Sequence, residues 1–157
     1  RYGEILVLPE PQIREDVAVV PGTDGQKMSK SYDNTIELFG PEKEIRKKFM
    51  GIKTDSTPLE EPKDPEKCPV FALYKLFAAK EQLEAMAANY RKGGYGYGHA
   101  KKELFEVFWE HFRPFRSRRE ELLKDMSYVD SFLRKGAEKA NAVAEATMKQ
   151  VRESVGI

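Results

Sequence analysis

Lys27, Met28, Ser29, Lys30 and Ser31 put two cations and two hydroxyls into five consecutive residues, directly after a turn-forming run at Pro21, Gly22, Thr23, Asp24 and Gly25. That set of groups suits polyphosphate. A lysine ammonium is a compact charge with three donors, able to follow a phosphate that shifts and gains charge during a reaction. Serine hydroxyls and loop N–H groups add donors without bulk, and the glycines let the backbone bend closely around a ligand. Two lysines in a polar turn also describe an ordinary basic surface loop, so composition alone does not choose. The P-loop pattern GxxxxGK[ST] is not found in the chain, and no GxGxxG loop follows a strand pattern.

Order and flanks do choose. Residues 24–31, Asp-Gly-Gln-Lys-Met-Ser-Lys-Ser, resemble the KMSKS loop of class I aminoacyl-tRNA synthetases, with Asn34 and Ile36 following. The rest of the chain is similar, block by block, to tryptophanyl-tRNA synthetases. Tyr2-Gly3 and Pro9-Glu10 resemble the approach to the loop, and residues 36–39, Ile-Glu-Leu-Phe, the segment leaving it. Further blocks are Ile52-Lys53-Thr54-Asp55, Asp64-Pro65-Glu66, Pro69-Val70-Phe71, Gly96-Tyr97-Gly98 with Lys101, and residues 133–140 with Ala144 and Thr147. Tyrosyl-tRNA synthetases share the loop, but their chains normally continue into a separate tRNA-binding module. A tyrosyl relative and a non-catalytic RNA-binding, synthetase-like module are the alternatives. The second would have no reason to keep both loop lysines.

The resemblance implies activation of tryptophan with ATP and transfer to tRNA(Trp). It implies that Lys27 and Lys30 neutralise charge on departing pyrophosphate, Lys30 the more important, and that Ser29 and Ser31 bond phosphate or brace the loop. Met28, with backbone near Ala18, would lie against adenine. Mg²⁺ would arrive with ATP, held mainly by phosphates and water, since no carboxylate stands out as its ligand. The family's HIGH motif and tryptophan pocket are not found in this sequence, and His99 and His111 form no HIGH-like pair. The chain also starts at Arg1 rather than Met. It is therefore expected to be the C-terminal fragment of a homodimeric parent, inactive alone.

Composition agrees and excludes other classes. At 157 residues the chain is long enough for one ordinary domain. Its 27 basic and 26 acidic residues nearly cancel, so any RNA site must come from local clustering. One cysteine, Cys68, cannot by itself form a disulfide, a structural zinc site or an iron–sulfur site; neither zinc nor cluster is expected. No apolar run reaches the length of a membrane span, and the expected setting is cytoplasmic.

The elements that must position the loop change character near Asn34. Before it, residues 5–8 and 17–20 are short β-branched-rich runs bounded by proline, which predicts strands at the end of a parallel sheet. After it the spacing is helical. Ile45, Phe49 and Ile52 share a face of a short helix opening at Gly40-Pro41. Pro58, Pro62, Pro65 and Pro69 enforce a long loop. Helices are predicted at 70–79, 81–91 and 100–113, with Leu104, Phe105, Phe108 and Phe112 forming a core stripe and Trp109 a packing anchor. Tyr95 and Tyr97 lie in a glycine-rich break, where packing and base stacking both remain open.

Pro114 should break the third of these helices. Just beyond it Arg116, Arg118 and Arg119 make the densest positive cluster, with Lys101 and Lys102 nearby if the helix folds as drawn. Solvated surface charge and tRNA phosphate contact are both open for these five. The last helix, 128–155, should bury Val129, Phe132, Leu133, Gly136, Ala137, Ala140, Ala144, Thr147, Val151 and Val155. The expected fold is mainly α: a helical bundle of the tRNA anticodon-binding type at 35–157, preceded at 1–34 by the last strands and the KMSKS loop of a Rossmann-like nucleotide-binding domain.

Overall fold

A computed structural model describes residues 3–14 and 17–157. Among the described residues six α-helices follow the loop: α1 (Glu42–Met50), α2 (Pro69–Tyr74), α3 (Lys80–Lys92), α4 (Tyr97–His111), α5 (Arg113–Leu123) and α6 (Met126–Val155). Short 3-10 turns lie at Lys30–Tyr32 and Pro65–Lys67. Residues 14–116 form one compact unit; residues 1–13 and 117–157 form another.

The first unit is built on α4, which packs against α1 and α2. Its core takes Ile45 and Phe49 from α1, Val70, Phe71, Leu73 and Tyr74 from α2, Met86 and Tyr90 from α3, and Ala100, Leu104, Phe105 and Phe108 from α4. Ile45, Phe49, Leu104, Phe105 and Phe108 are residues the helical spacing singles out, while Phe112 of the same stripe is only half-buried. Phe49 meets Phe108 at 4.8 Å and Phe105 at 5.7 Å between ring centroids, and tilted and edge-on rings of this kind add to simple burial. Ile52, just past α1, is also buried. Arg46 lies 4.2 Å over the Phe105 ring while its guanidinium reaches Glu106 at 3.0 Å, tying the exposed edge of α1 to α4.

The long proline loop is closed by a residue whose role composition hides. Lys63 is 4% exposed, and its Nζ donates to the carbonyls of Pro58 (2.7 Å), Leu59 (3.2 Å) and Glu61 (3.0 Å). Its backbone N–H bonds to Tyr90 O at 2.7 Å, fastening the loop to the end of α3. Gly93 ends α3 with φ +79, and a Cβ there would collide with Glu60 O, so only glycine lets the two backbones meet.

Four expectations change. Neither expected run is a strand: residues 5–8 are irregular, with Leu6, Val7 and Leu8 68%, 94% and 87% exposed, and residues 17–20 open on a 3-10 turn closed by Val17 N–H on Arg14 O at 3.2 Å. Among the described residues there is no strand, only an isolated antiparallel bridge between Pro21 and Lys27. A strand exists only where a neighbour takes up successive N–H and C=O groups, and among the described residues the pairing stops at one bond, Met28 N–H to Val20 O. The sheet portion of the expected fold is therefore not observed, and the chain is mainly α.

Second, α2 ends at Tyr74 and the chain continues in i→i+3 bonds from Leu76 to Leu73 and Phe77 to Tyr74. Third, α4 starts at Tyr97 inside the glycine-rich break. Pro114 then occupies the first turn of α5, where its missing N–H costs nothing. Fourth, α6 has the expected apolar stripe, but Phe132 and Leu133 are 67% and 64% exposed and Gly136, Ala137, Ala140, Ala144 and Val155 are exposed too. Val129, Thr147 and Val151 are only half-buried. Periodicity fixes which residues share a face; it does not supply what covers that face.

Candidate phosphate-binding loop and adjoining cleft

Residues 20–28 fold back on themselves as a tight loop. Met28 N–H bonds to Val20 O at 2.8 Å, Gly22 N–H to Gln26 O at 2.7 Å and Gly25 N–H to Gly22 O at 3.0 Å. Gly25 takes φ +83, the left-handed conformation that the turn requires. Asp24 accepts the Gln26 N–H at 3.0 Å, an Asx turn of the kind this residue favours. Beyond the loop, Ser29 caps the 3-10 turn at Lys30–Tyr32 by accepting the Ser31 N–H at 3.3 Å, and Asp33 ends it in the left-handed region at φ 51.

Asn34 organises this arrangement from within. It is 1% exposed. Its Nδ2 donates to Asp24 Oδ1 at 2.8 Å and to Lys27 O at 3.1 Å, and its Oδ1 accepts the Ser29 N–H at 2.7 Å. The Asn34 carbonyl accepts the Thr23 N–H at 2.9 Å, and Thr23 O accepts the Lys53 N–H at 2.7 Å, fastening the loop to the segment after α1. Gly22 closes against this amide: a Cβ there would collide with Asn34 Cγ. The Asn34 hydrogen bond, ahead of Lys53's charge, holds the Asp24 carboxyl below its ordinary value.

On this frame Lys27, Lys30 and Ser31 are exposed, Ser29 is half-buried and Met28 packs its side chain partly against the core. Ala18 is exposed, on the segment leading into Val20. A cleft of about 570 Å³ opens beside the loop base, lined by Asp24, Gln26, Lys53, Asp55, Cys68 and Tyr97 among others. Tyr97 donates to Asp55 Oδ1 at 2.7 Å. Thr57 and then Tyr97 hold the Asp55 carboxyl low, while burial, followed by Asp55, pushes the Tyr97 phenol up. Tyr97 and Tyr95 both pack on Tyr90, at 6.0 and 5.5 Å between ring centroids. Among the described residues no cluster of three His, Cys, Asp or Glu is placed to hold a metal, and no helix is long and apolar enough to cross a membrane.

The five cations beyond the loop divide by environment. Lys101 is half-buried and donates to Met50 O at 3.2 Å, capping the C-terminus of α1, with its pKa lowered by burial. Arg116 lies 3.5 Å over the Trp109 ring and donates to the Trp109 carbonyl. Lys102, Arg118 and Arg119 are all exposed, and Arg118 pairs with Glu121 at 2.9 Å. Asn34 and Lys63 are the residues that sequence reasoning passed over as site or scaffold. Their signal in the sequence is weak: an Asx residue closely following a turn, and a lysine among prolines.

Comparison with known proteins turns this geometry into a family assignment. Residues 1–113 match the family "tRNA synthetases class I (W and Y)". The chain belongs to that family. It is 50% identical over 156 residues to the tryptophan-tRNA ligase of Rhodopirellula baltica, covering 99% of this chain and 49% of that protein. Against the Fusobacterium nucleatum tryptophan-tRNA ligase it is 46% identical, over 100% of this chain and 48% of the relative. The crystal structure of Campylobacter jejuni tryptophanyl-tRNA synthetase complexed with ADP and tryptophan superposes with a TM-score of 0.83 at 45% identity, over 99% of this chain and 49% of that one. The chain spans about half the length of the relatives it matches. Tyr2, in one of the matching blocks, lies outside the described residues.

Proposed function

We propose that this chain supplies the phosphate-handling loop and helical domain of a tryptophan-tRNA ligase, in a polypeptide of which it forms about half. The observation that carries the reading is the loop itself. Residues 24–31 of the synthetase family stand on a closed hydrogen-bond frame that leaves Lys27 and Lys30 facing solvent. On this reading ATP and tryptophan, bound together as ADP and tryptophan are in the Campylobacter jejuni structure, form an aminoacyl adenylate and release pyrophosphate.

The negative charge that develops on the leaving pyrophosphate is met by Lys30 and then Lys27. Binding that strengthens only as that charge develops lowers the barrier rather than merely holding ATP. Ser29 and Ser31 brace the loop or bond phosphate, and Met28 with the backbone near Ala18 borders the adenine. Mg²⁺ travels with ATP. The acyl group then passes to tRNA(Trp), whose phosphates meet the helical domain at 35–157; residues 1–34 belong with the catalytic half. The same reading assigns a cytoplasmic setting and a homodimeric parent.

The test is tryptophan-dependent exchange of pyrophosphate into ATP. The longer polypeptide should catalyse it and this chain alone should not. Exchange that depends on tyrosine and ignores tryptophan, or no amino-acid-dependent exchange at all, would overturn the reading.

A further inference from the structure

Between the loop's two lysines and the protein body lies a buried amide bonded on every side to protein groups. Asn34 uses its acceptor oxygen on Ser29 N–H and both donors, on Asp24 Oδ1 and Lys27 O, with almost no exposure to solvent. Only this orientation of the amide works, because turning it over would aim an NH₂ at an N–H and an oxygen at a carboxylate. The three partners bracket the two lysines: Lys27 is held by its own carbonyl, and Lys30 follows the held N–H of Ser29 and the turn that Ser29 caps. Gly22 presses on the same amide, and the Asn34 backbone carries the Thr23 link toward Lys53.

We propose that Asn34, backed by Asp24, is a positioning residue that fixes where the loop delivers the Lys27 and Lys30 ammonium groups. This rests on the reading above and deepens it. The Asn34 carboxamide provides the preorganisation that leaves little loop reorganisation to be done during adenylate formation.

A second carboxylate beside Asp24 tests it. Asn34→Asp sets two carboxylates against each other, with Lys53 the charged group facing Asp24 from the neighbouring segment. Protonating one carboxyl restores a donor between them. In the longer polypeptide, Asn34→Asp should lower the turnover of tryptophan-dependent exchange roughly tenfold to a hundredfold at neutral pH, with the KM for tryptophan unchanged. The loss should shrink as pH falls. Asn34→Ala should show the loss without that recovery. Adding Asp24→Asn to Asn34→Asp should recover part of it at neutral pH, because the amide introduced at position 24 can then donate to the carboxylate introduced at position 34.

A role in stability alone would lower the unfolding midpoint and leave turnover per folded molecule unchanged, which overturns the proposal. Equal pH profiles for Asn34→Asp and Asn34→Ala overturn it too. If Asn34→Asp does not fold, the double variant decides: turnover no better than that of Asn34→Ala sinks the idea. Failure of the unmodified polypeptide to exchange at all would instead count against the functional reading.

Discussion

Lys30 and Lys63 carry the same charge in opposite circumstances, one exposed on the loop and the other enclosed by three carbonyls. Lys30→Ala should leave stability nearly unchanged but slow tryptophan activation roughly 100- to 1000-fold, the scale of losing one preorganised donor; pre-steady-state kinetics of adenylate formation would show it. Lys63→Met should do the reverse. It removes the three hydrogen bonds to the carbonyls of Pro58, Leu59 and Glu61 from a buried side chain, which costs about 1 kcal/mol or more, and urea unfolding of residues 1–157 would read it as a lower midpoint. Asp24 adds a pH dependence. Its carboxyl titrates below the ordinary value of 3.8, so its stabilisation of the loop is complete above that value and is lost as pH falls through the lower folded one. The side-chain amide resonances of Asn34, followed by NMR against pH, should stay constant above about pH 5 and move only in stronger acid.

At the scale of elements, α4 and α5 are joined by a contact that converts an apparent nucleic-acid ligand into part of the packing. Arg116 stacks on Trp109, which itself stacks on Phe105 at 5.6 Å. An arginine over an indole contributes about 0.5–2 kcal/mol, more as water is excluded. Trp109→Ala should therefore destabilise the first unit by more than Lys102→Ala, which removes an exposed side chain. Thermal unfolding of the two variants would check the order. Helix α6 shows the converse, an amphipathic element whose stripe is formed yet largely uncovered, so its spacing was readable and its burial was not.

For the whole molecule, the near balance of 27 basic and 26 acidic residues leaves any nucleic-acid site to local clusters. With Lys101 capping α1 and Arg116 packed on Trp109, the exposed cations Lys102 and Arg119, and Arg118 with its carboxylate partner, are the better candidates for phosphate binding. Replacing these three by Gln in the longer polypeptide should weaken tRNA binding across sequences and reduce the salt slope by about one for each phosphate left without its cation. It should spare tRNA-independent pyrophosphate exchange. Filter binding of tRNA at several salt concentrations would measure it, and an unchanged slope would return these residues to the solvated surface.

The sequence by itself determined the family, through the order of residues 24–31 and the blocks after them, and it determined the inward faces of α1, α3 and α4, because a helical stripe is a local property repeated every three to four residues. It placed Ile45, Phe49, Leu104 and Phe108 in the core. Tertiary structure decided the rest. Whether 5–8 and 17–20 are strands depends on a neighbouring strand that no spacing specifies, and neither is one. Asn34 became the centre of the loop only when the chain brought Asp24, Lys27 and Ser29 around it, and Lys63 became a clasp only when the prolines turned three carbonyls toward its ammonium. A polar side chain's role depends on which backbone groups are left without partners around it, and that is known only after the chain has closed.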